Sequence, residues 1–213
     1  MRLFSKKPKC PYCDFELDKK PTRKMKCPNC FEYIRVKGGE LYTEKQIDEI
    51  AFKEKWLRKL KSYGADEEMF DSERNKLSQK FGFEATVYDT FWGMMMKLLT
   101  IQQGDLYSKE QIYKYMGELV TSEGKDPEPY IQESKKLKAK AMKEQLDYWK
   151  IIYKSYSNVK VEIYTVNDDN VCDVCKNASK CKLTVDKFLE TMPIPMNCNN
   201  PHGCRCYLVE SVK

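Results

Sequence analysis

The chain has 213 residues, a third of them charged and 41% hydrophobic, with 38 Lys/Arg against 32 Asp/Glu for a formal net charge of +6. That balance excludes a wholly disordered chain. The longest apolar stretch, residues 91–101, is interrupted by Lys97 and falls short of the roughly 20 residues a membrane span needs, so no membrane role is expected. The positive excess lies in residues 1–40, which hold eleven Lys/Arg and five Asp/Glu. No hydrophobic segment follows the basic start of the chain, so no export signal is expected and the ten cysteines are read as reduced thiols.

Residues 1–42 carry two knuckles, Cys10-Pro11-Tyr12-Cys13 and Cys27-Pro28-Asn29-Cys30. Cys-x-x-Cys is the spacing at which one tight turn points two sulfurs at one ion, and Pro restrains that turn. Four thiolates suit tetrahedral Zn²⁺. Phe31 to Val36 then alternates like a strand, Gly38-Gly39 can turn it, and Leu41-Tyr42 can return. Two knuckles and a hairpin resemble a zinc ribbon over residues 8–42. A segment this short buries little core, so the metal is expected to supply folding free energy on the order of 10 kcal/mol. Lys19, Lys20, Arg23, Lys24 and Lys26 are the basic residues through which such a module would touch nucleic acid. Bound metal tempers the charge: two Zn²⁺, each held by four thiolates with a net −2, reduce +6 to about +2 for the chain and to about +4 for the ribbon.

Residues 43–157 read as a helical bundle. Thr43-x-x-Gln46 is a capping box, and Ile47, Ile50, Ala51, Leu57 and Leu60 recur at helical spacing up to Gly64. A second helix is predicted from Asp66 to Phe81, and a third from Glu84 to Gln103 with Val87, Phe91, Met94, Met95, Leu98 and Leu99 buried. Ser108-x-x-Gln111 reads as a second capping box for a helix reaching about Glu123. Asp126-Pro127 opens a last helix extending to about Tyr156. The lysines of that helix (Lys135, Lys136, Lys138, Lys140 and Lys143) read as a solvated face.

Residues 158–213 read as a small α+β module. Val159, Val161 and Ile163 alternate with polar neighbours as a strand, and an Asn/Asp loop delivers Cys172-Asp173-Val174-Cys175. Leu183-Thr184-Val185 is a short strand, followed by a helical turn over 186–190. Then come Pro193, Pro195, Cys198, His202 and Cys204-Arg205-Cys206 before a closing strand. An Asp (168 or 169), Cys172, Cys175, Pro193, Pro195, Cys204, Arg205 and Cys206 resemble the C-terminal pattern of phage head morphogenesis proteins, the phage Mu F-like minor head family. In this chain Cys181 stands at the family's Gly position, Cys198 at its His, and residues 199–202 are extra. The residues point to a second structural Zn²⁺ on Cys172, Cys175, Cys198 and Cys204, with Cys206 or His202 as the alternative ligand. Arg205 can offset thiolate charge or hold Asp168.

The fold expected is therefore mainly α, with two small zinc-bound modules. One histidine cannot build a His-rich hydrolytic site, and the His-x-Glu of zinc deaminases is absent, so no enzyme is expected. The resemblance implies a structural or assembly role in virion assembly, with portal or capsid partners, in the bacterial host cytoplasm or the virion. A zinc-ribbon nucleic-acid-binding protein is the alternative.

Overall fold

The structure is a computed structural model describing residues 7–154, 159–166, 168–169, 171–201 and 203–212. The chain forms two compact units, divided between Phe91 and Trp92.

The first unit opens with the ribbon. Strands β1 (Met25–Lys26), β2 (Tyr33–Lys37) and β3 (Glu40–Tyr42) make an antiparallel sheet in that order. Its register sets Lys26 opposite Tyr33 and Val36 opposite Leu41. The core beneath is minimal: Cys10, Leu17, Cys27 and Ile34 are buried, with Met25 and Leu41 against them.

Helix α1 (Glu44–Leu60) starts at the predicted box: Thr43 Oγ1 accepts from Gln46 N, and Gln46 Oε1 accepts from Thr43 N. Glu44 and Glu54 on α1 pair with Arg35 and Lys37 on β2. Helix α2 (Glu67–Phe81) is capped by Asp66 and ends on left-handed Gly82. Helix α3 begins at Val87 and runs to Ile101. Trp56, Phe70 and Phe91 are fully buried and pack ring against ring, with Phe52 and Tyr88 beside them. Along α1 the buried residues are Leu60, which the aliphatic periodicity includes, and Trp56, which it passes over, whereas Ala51 is exposed.

In the second unit Met94, Met95 and Leu98 of α3 are buried as predicted. Helix α4 (Leu106–Ser122) is opened not by Ser108 but by Asp105, whose carboxylate accepts from the N–H groups of Tyr107 and Ser108. Asp competes as an N-cap as well as Ser does, and here it lies where the helix begins. Helix α5 (Glu128–Ile152) follows, with Asp126 Oδ1 accepting from Glu128 N; residues 155–158 of the predicted extension lie outside the described residues. Helices α4 and α5 approach closely at Gly117, where a Cβ would sit 3.1 Å from Ile131 Cδ1.

Beyond them, β5 (Lys182–Thr184), β4 (Val159–Tyr164) and β6 (Tyr207–Val212) form an antiparallel sheet with β4 central. Two short helices, α6 (Asp173–Ala178) and α7 (Val185–Thr191), complete the fold. Met142, Leu146 and Trp149 of α5 share one core with Val161, Ile163, Phe188, Ile194, Leu208 and the C-terminal cysteines.

Candidate metal centres

Both sulfur clusters grow from local turns that the knuckles dictate. In the first, Asp14 N donates to Cys10 O and Phe31 N donates to Cys27 O, closing two equivalent turns. Backbone N–H groups then point at the sulfurs: Tyr12 N lies 3.5 Å from Cys10 Sγ, and Asn29 N lies 3.4 Å from Cys27 Sγ.

The four sulfurs of Cys10, Cys13, Cys27 and Cys30 lie within 4.8 Å of one another. Cys10–Cys30 and Cys13–Cys27 are each 3.8 Å apart. A disulfide needs about 2.05 Å. A tetrahedron with metal–sulfur bonds of about 2.3 Å has edges of about 3.8 Å. The sulfurs therefore stand at ligand spacing.

Their protonation is divided. The Asn29 side-chain amide, with the Phe15 N–H, lowers Cys13 to about 6. Cys30 receives the Glu32 N–H, but burial and the neighbouring thiols push it up to about 12. Four adjacent thiols cannot all ionise against one another, and a dication removes that repulsion.

The second cluster is assembled from three segments. Cys172 is the N-cap of α6, and its sulfur accepts from Cys175 N at 3.5 Å. Cys198 follows the Pro193–Pro195 stretch, and Cys204 and Cys206 lead into β6. The sulfurs form two overlapping groups, Cys172/Cys175/Cys198 and Cys175/Cys204/Cys206, each within 4.8 Å. Cys172–Cys198 measures 3.6 Å and Cys175–Cys204 measures 3.9 Å. Cys175 is thus the shared vertex, surrounded by thiols that raise its pKa. Those same contacts, with the Lys138 ammonium, lower Cys204 to about 7 and Cys206 to about 4. Cys204 and Cys206 both reach Cys175, as residues two apart do on extended backbone. Cys206 is accordingly a member of the cluster alongside Cys204. His202 lies outside the described residues, and exposed Cys181 stands apart, its sulfur 3.9 Å from Asn177 O.

Arg205 forks onto Asp168, with Nη1 2.8 Å from Oδ2 and Nη2 2.6 Å from Oδ1. This geometry selects Asp168 over Asp169 as the partner of the Cys-Arg-Cys segment.

Sequence reasoning missed what supports Cys204. Lys114 Nζ on α4 and Lys138 Nζ on α5 both donate to the Cys204 carbonyl, at 2.8 and 2.7 Å. Lys114 also bonds Glu110 Oε1 at 2.5 Å, and Ser134 Oγ lies 3.4 Å from the same oxygen. Lys138 is only 5% exposed and Lys135 8%, which overturns the reading of this lysine run as a solvated face; Lys136, Lys140 and Lys143 remain outside. Burial pushes the Lys138 ammonium below the ordinary lysine range, against the pull of Cys204 and Glu110. Gly203 makes room: its φ is +81°, and a Cβ there would meet Lys114 Cε at 2.9 Å. Two ammoniums and one carboxylate leave net positive charge beside a thiolate-rich site, which favours the ionised sulfurs a cation needs. The signal available in sequence was the i, i+4 Glu110/Lys114 pair on a helix otherwise rich in apolar residues.

The basic candidates on the ribbon are all exposed, and the structure divides them. Lys19 and Lys20 line a cleft with Lys7, Lys9, Asp18 and Glu40, where Lys20 is ion-paired to Glu40 at 3.1 Å. Lys24 and Lys26 lie over the rings of Tyr33 and Phe31.

No family model, curated protein or solved structure matches this chain. Among the described residues, no helix is long and apolar enough to cross a membrane. What geometry supplies is two cysteine-rich sites that could each hold a metal ion.

Proposed function

We propose that this chain is a non-enzymatic zinc protein of the phage head-morphogenesis type, a structural or assembly component whose two sulfur sites each hold one structural Zn²⁺. The observation that carries the reading is the forked Asp168–Arg205 pair. It ties the acidic start of the C-terminal motif to its closing Cys-Arg-Cys, while Cys172, Cys198 and Cys204 between them converge on Cys175. Asp168, Arg205 and these cysteines of the motif thus meet at one place, which supports the reading. Zinc is favoured because tetrahedral sulfur coordination suits it and because it staples small folds without redox change. The C-terminal site takes Cys172, Cys175 and Cys198, with Cys204 or Cys206 completing the tetrahedron.

Two measurements test the reading. Elemental analysis of the native protein should give two zinc per chain, each released only by strong chelation. Co-expression with phage portal and capsid proteins should recover the chain in their assemblies. Metal-free native protein, or cysteines cross-linked as disulfides, would overturn the zinc assignment. Failure to enter such assemblies, or a gene remote from any packaging genes, would overturn the assembly role.

A further inference from the structure

The ribbon keeps its aromatic rings outside. Its core is Leu17, Ile34 and the cysteines, while Tyr12, Phe15, Phe31 and Tyr33 are exposed. Phe31 is the most informative. It follows directly on the second knuckle and adopts φ = +62°, the left-handed conformation that glycine or asparagine adopts at least cost. The equivalent position after the first knuckle holds Asp14 at φ = +56°, a residue type that tolerates that region. A bulky ring there is strained backbone, and at 65% exposure Phe31 gains little burial to offset it. Folding therefore does not explain the residue.

Its neighbours point to a ligand. Lys26 Nζ lies 5.6 Å from the Phe31 ring centroid, and Lys24 Nζ lies 4.4 Å from that of Tyr33. The register pairs Lys26 with Tyr33, so the four side chains form one patch of two exposed rings, each with an ammonium over one face. That patch sits on the segment carrying the chain's positive excess. A ring with an ammonium beside it matches a nucleotide whose base is free to stack and whose phosphate is near. Bases in a duplex are already stacked and offer no free face. A purely acidic peptide would engage the lysines but would leave the strained ring unexplained.

We propose that Phe31 and Tyr33, with Lys24 and Lys26, form a binding site for single-stranded nucleic acid, in which the rings stack on two bases and the lysines meet the backbone phosphates. The proposal does not depend on the assembly role.

The test uses the full-length, metal-replete chain and a fluorescein-labelled twelve-residue oligothymidylate, read by anisotropy at low salt. Saturable binding is expected, with the duplex of the same length binding more weakly. Phe31→Gly should weaken binding by about tenfold, within the range for loss of one stacking platform. The same variant relieves the left-handed strain, so thermal stability and metal retention of the ribbon should stay equal or rise. Phe31→Trp should retain affinity, and Tyr33→Ala should lose about as much as Phe31→Gly. Neutralising Lys24 and Lys26 to Gln should reduce the slope of log K against log salt by about 1.4. The proposal fails if the oligonucleotide does not bind, or if the duplex binds equally well. It also fails if an oligoglutamate peptide competes as strongly, or if Phe31→Gly leaves affinity unchanged.

Discussion

Replacing Lys138 by Met tests whether the buried lysines support the C-terminal metal centre. Met is unbranched and apolar, one heavy atom shorter than Lys, and it removes the charge and the donors while keeping most of the packing of the stem. In the native fold Lys138 Nζ donates to Cys204 O at 2.7 Å from a nearly sealed position on α5. A hydrogen bond from a charged donor is worth about 1.5–3 kcal/mol, and part of this is returned because the variant no longer buries an ammonium. Lys114 still holds the same carbonyl at 2.8 Å, so the carbonyl is not orphaned. The net loss expected is about 1–2 kcal/mol, a factor of roughly 5–30 in C-terminal zinc affinity. Competition against a chromophoric chelator reads this directly. The N-terminal site, whose ligands are all in the other compact unit, serves as an internal reference. Lys140→Met, an exposed change on the same helix, should leave both release steps unchanged. If Lys138→Met releases its C-terminal metal at the wild-type chelator concentration, the lysine pair is packing and gives the metal centre no electrostatic support.

Three further outcomes follow from the same geometry. Trp56→Ala empties the middle of the buried aromatic cluster beside Phe52 and Phe91 and should cost about 3–5 kcal/mol in denaturant unfolding. Asp105→Ala should cost about 1 kcal/mol by removing the α4 cap. The Ser108 hydroxyl and N–H hold the Asp105 carboxyl below its ordinary range, so the cap's contribution is complete above the unfolded pKa of about 3.9 and is lost as pH falls through the lower folded value. Asp105→Asn should flatten that acid dependence while retaining most of the cap. A double-mutant cycle on Asp168→Asn and Arg205→Gln, both about a third exposed, should give a coupling of about 0.5–1 kcal/mol in thermal unfolding, reduced by salt.

The parts legible in sequence are those set within a turn or two of chain. Two knuckles of the form Cys-Pro-x-Cys dictate sulfurs aimed at one centre, and four such sulfurs appear at tetrahedral edge lengths. Thr43 and Gln46 close their box because both partners lie on one helical turn. Asp105 and Ser108 are two good capping residues three apart, and only the backbone path decides that Asp105 begins the helix.

What the sequence alone determined is the presence of two cysteine-rich sites, the helices between them and the strand that precedes the second site, because ligand spacing and hydrophobic period are local properties of the chain. Tertiary structure alone decided that Lys114 and Lys138 leave solvent to hold the Cys204 carbonyl. It also decided that Cys175 is shared by two sulfur groups, that Asp168 rather than Asp169 meets Arg205, and that Phe31 stays outside. Each of these depends on segments far apart in sequence meeting in space, or on a backbone angle set by such a meeting. A lysine on a helix carries no mark of which remote carbonyl will arrive above it.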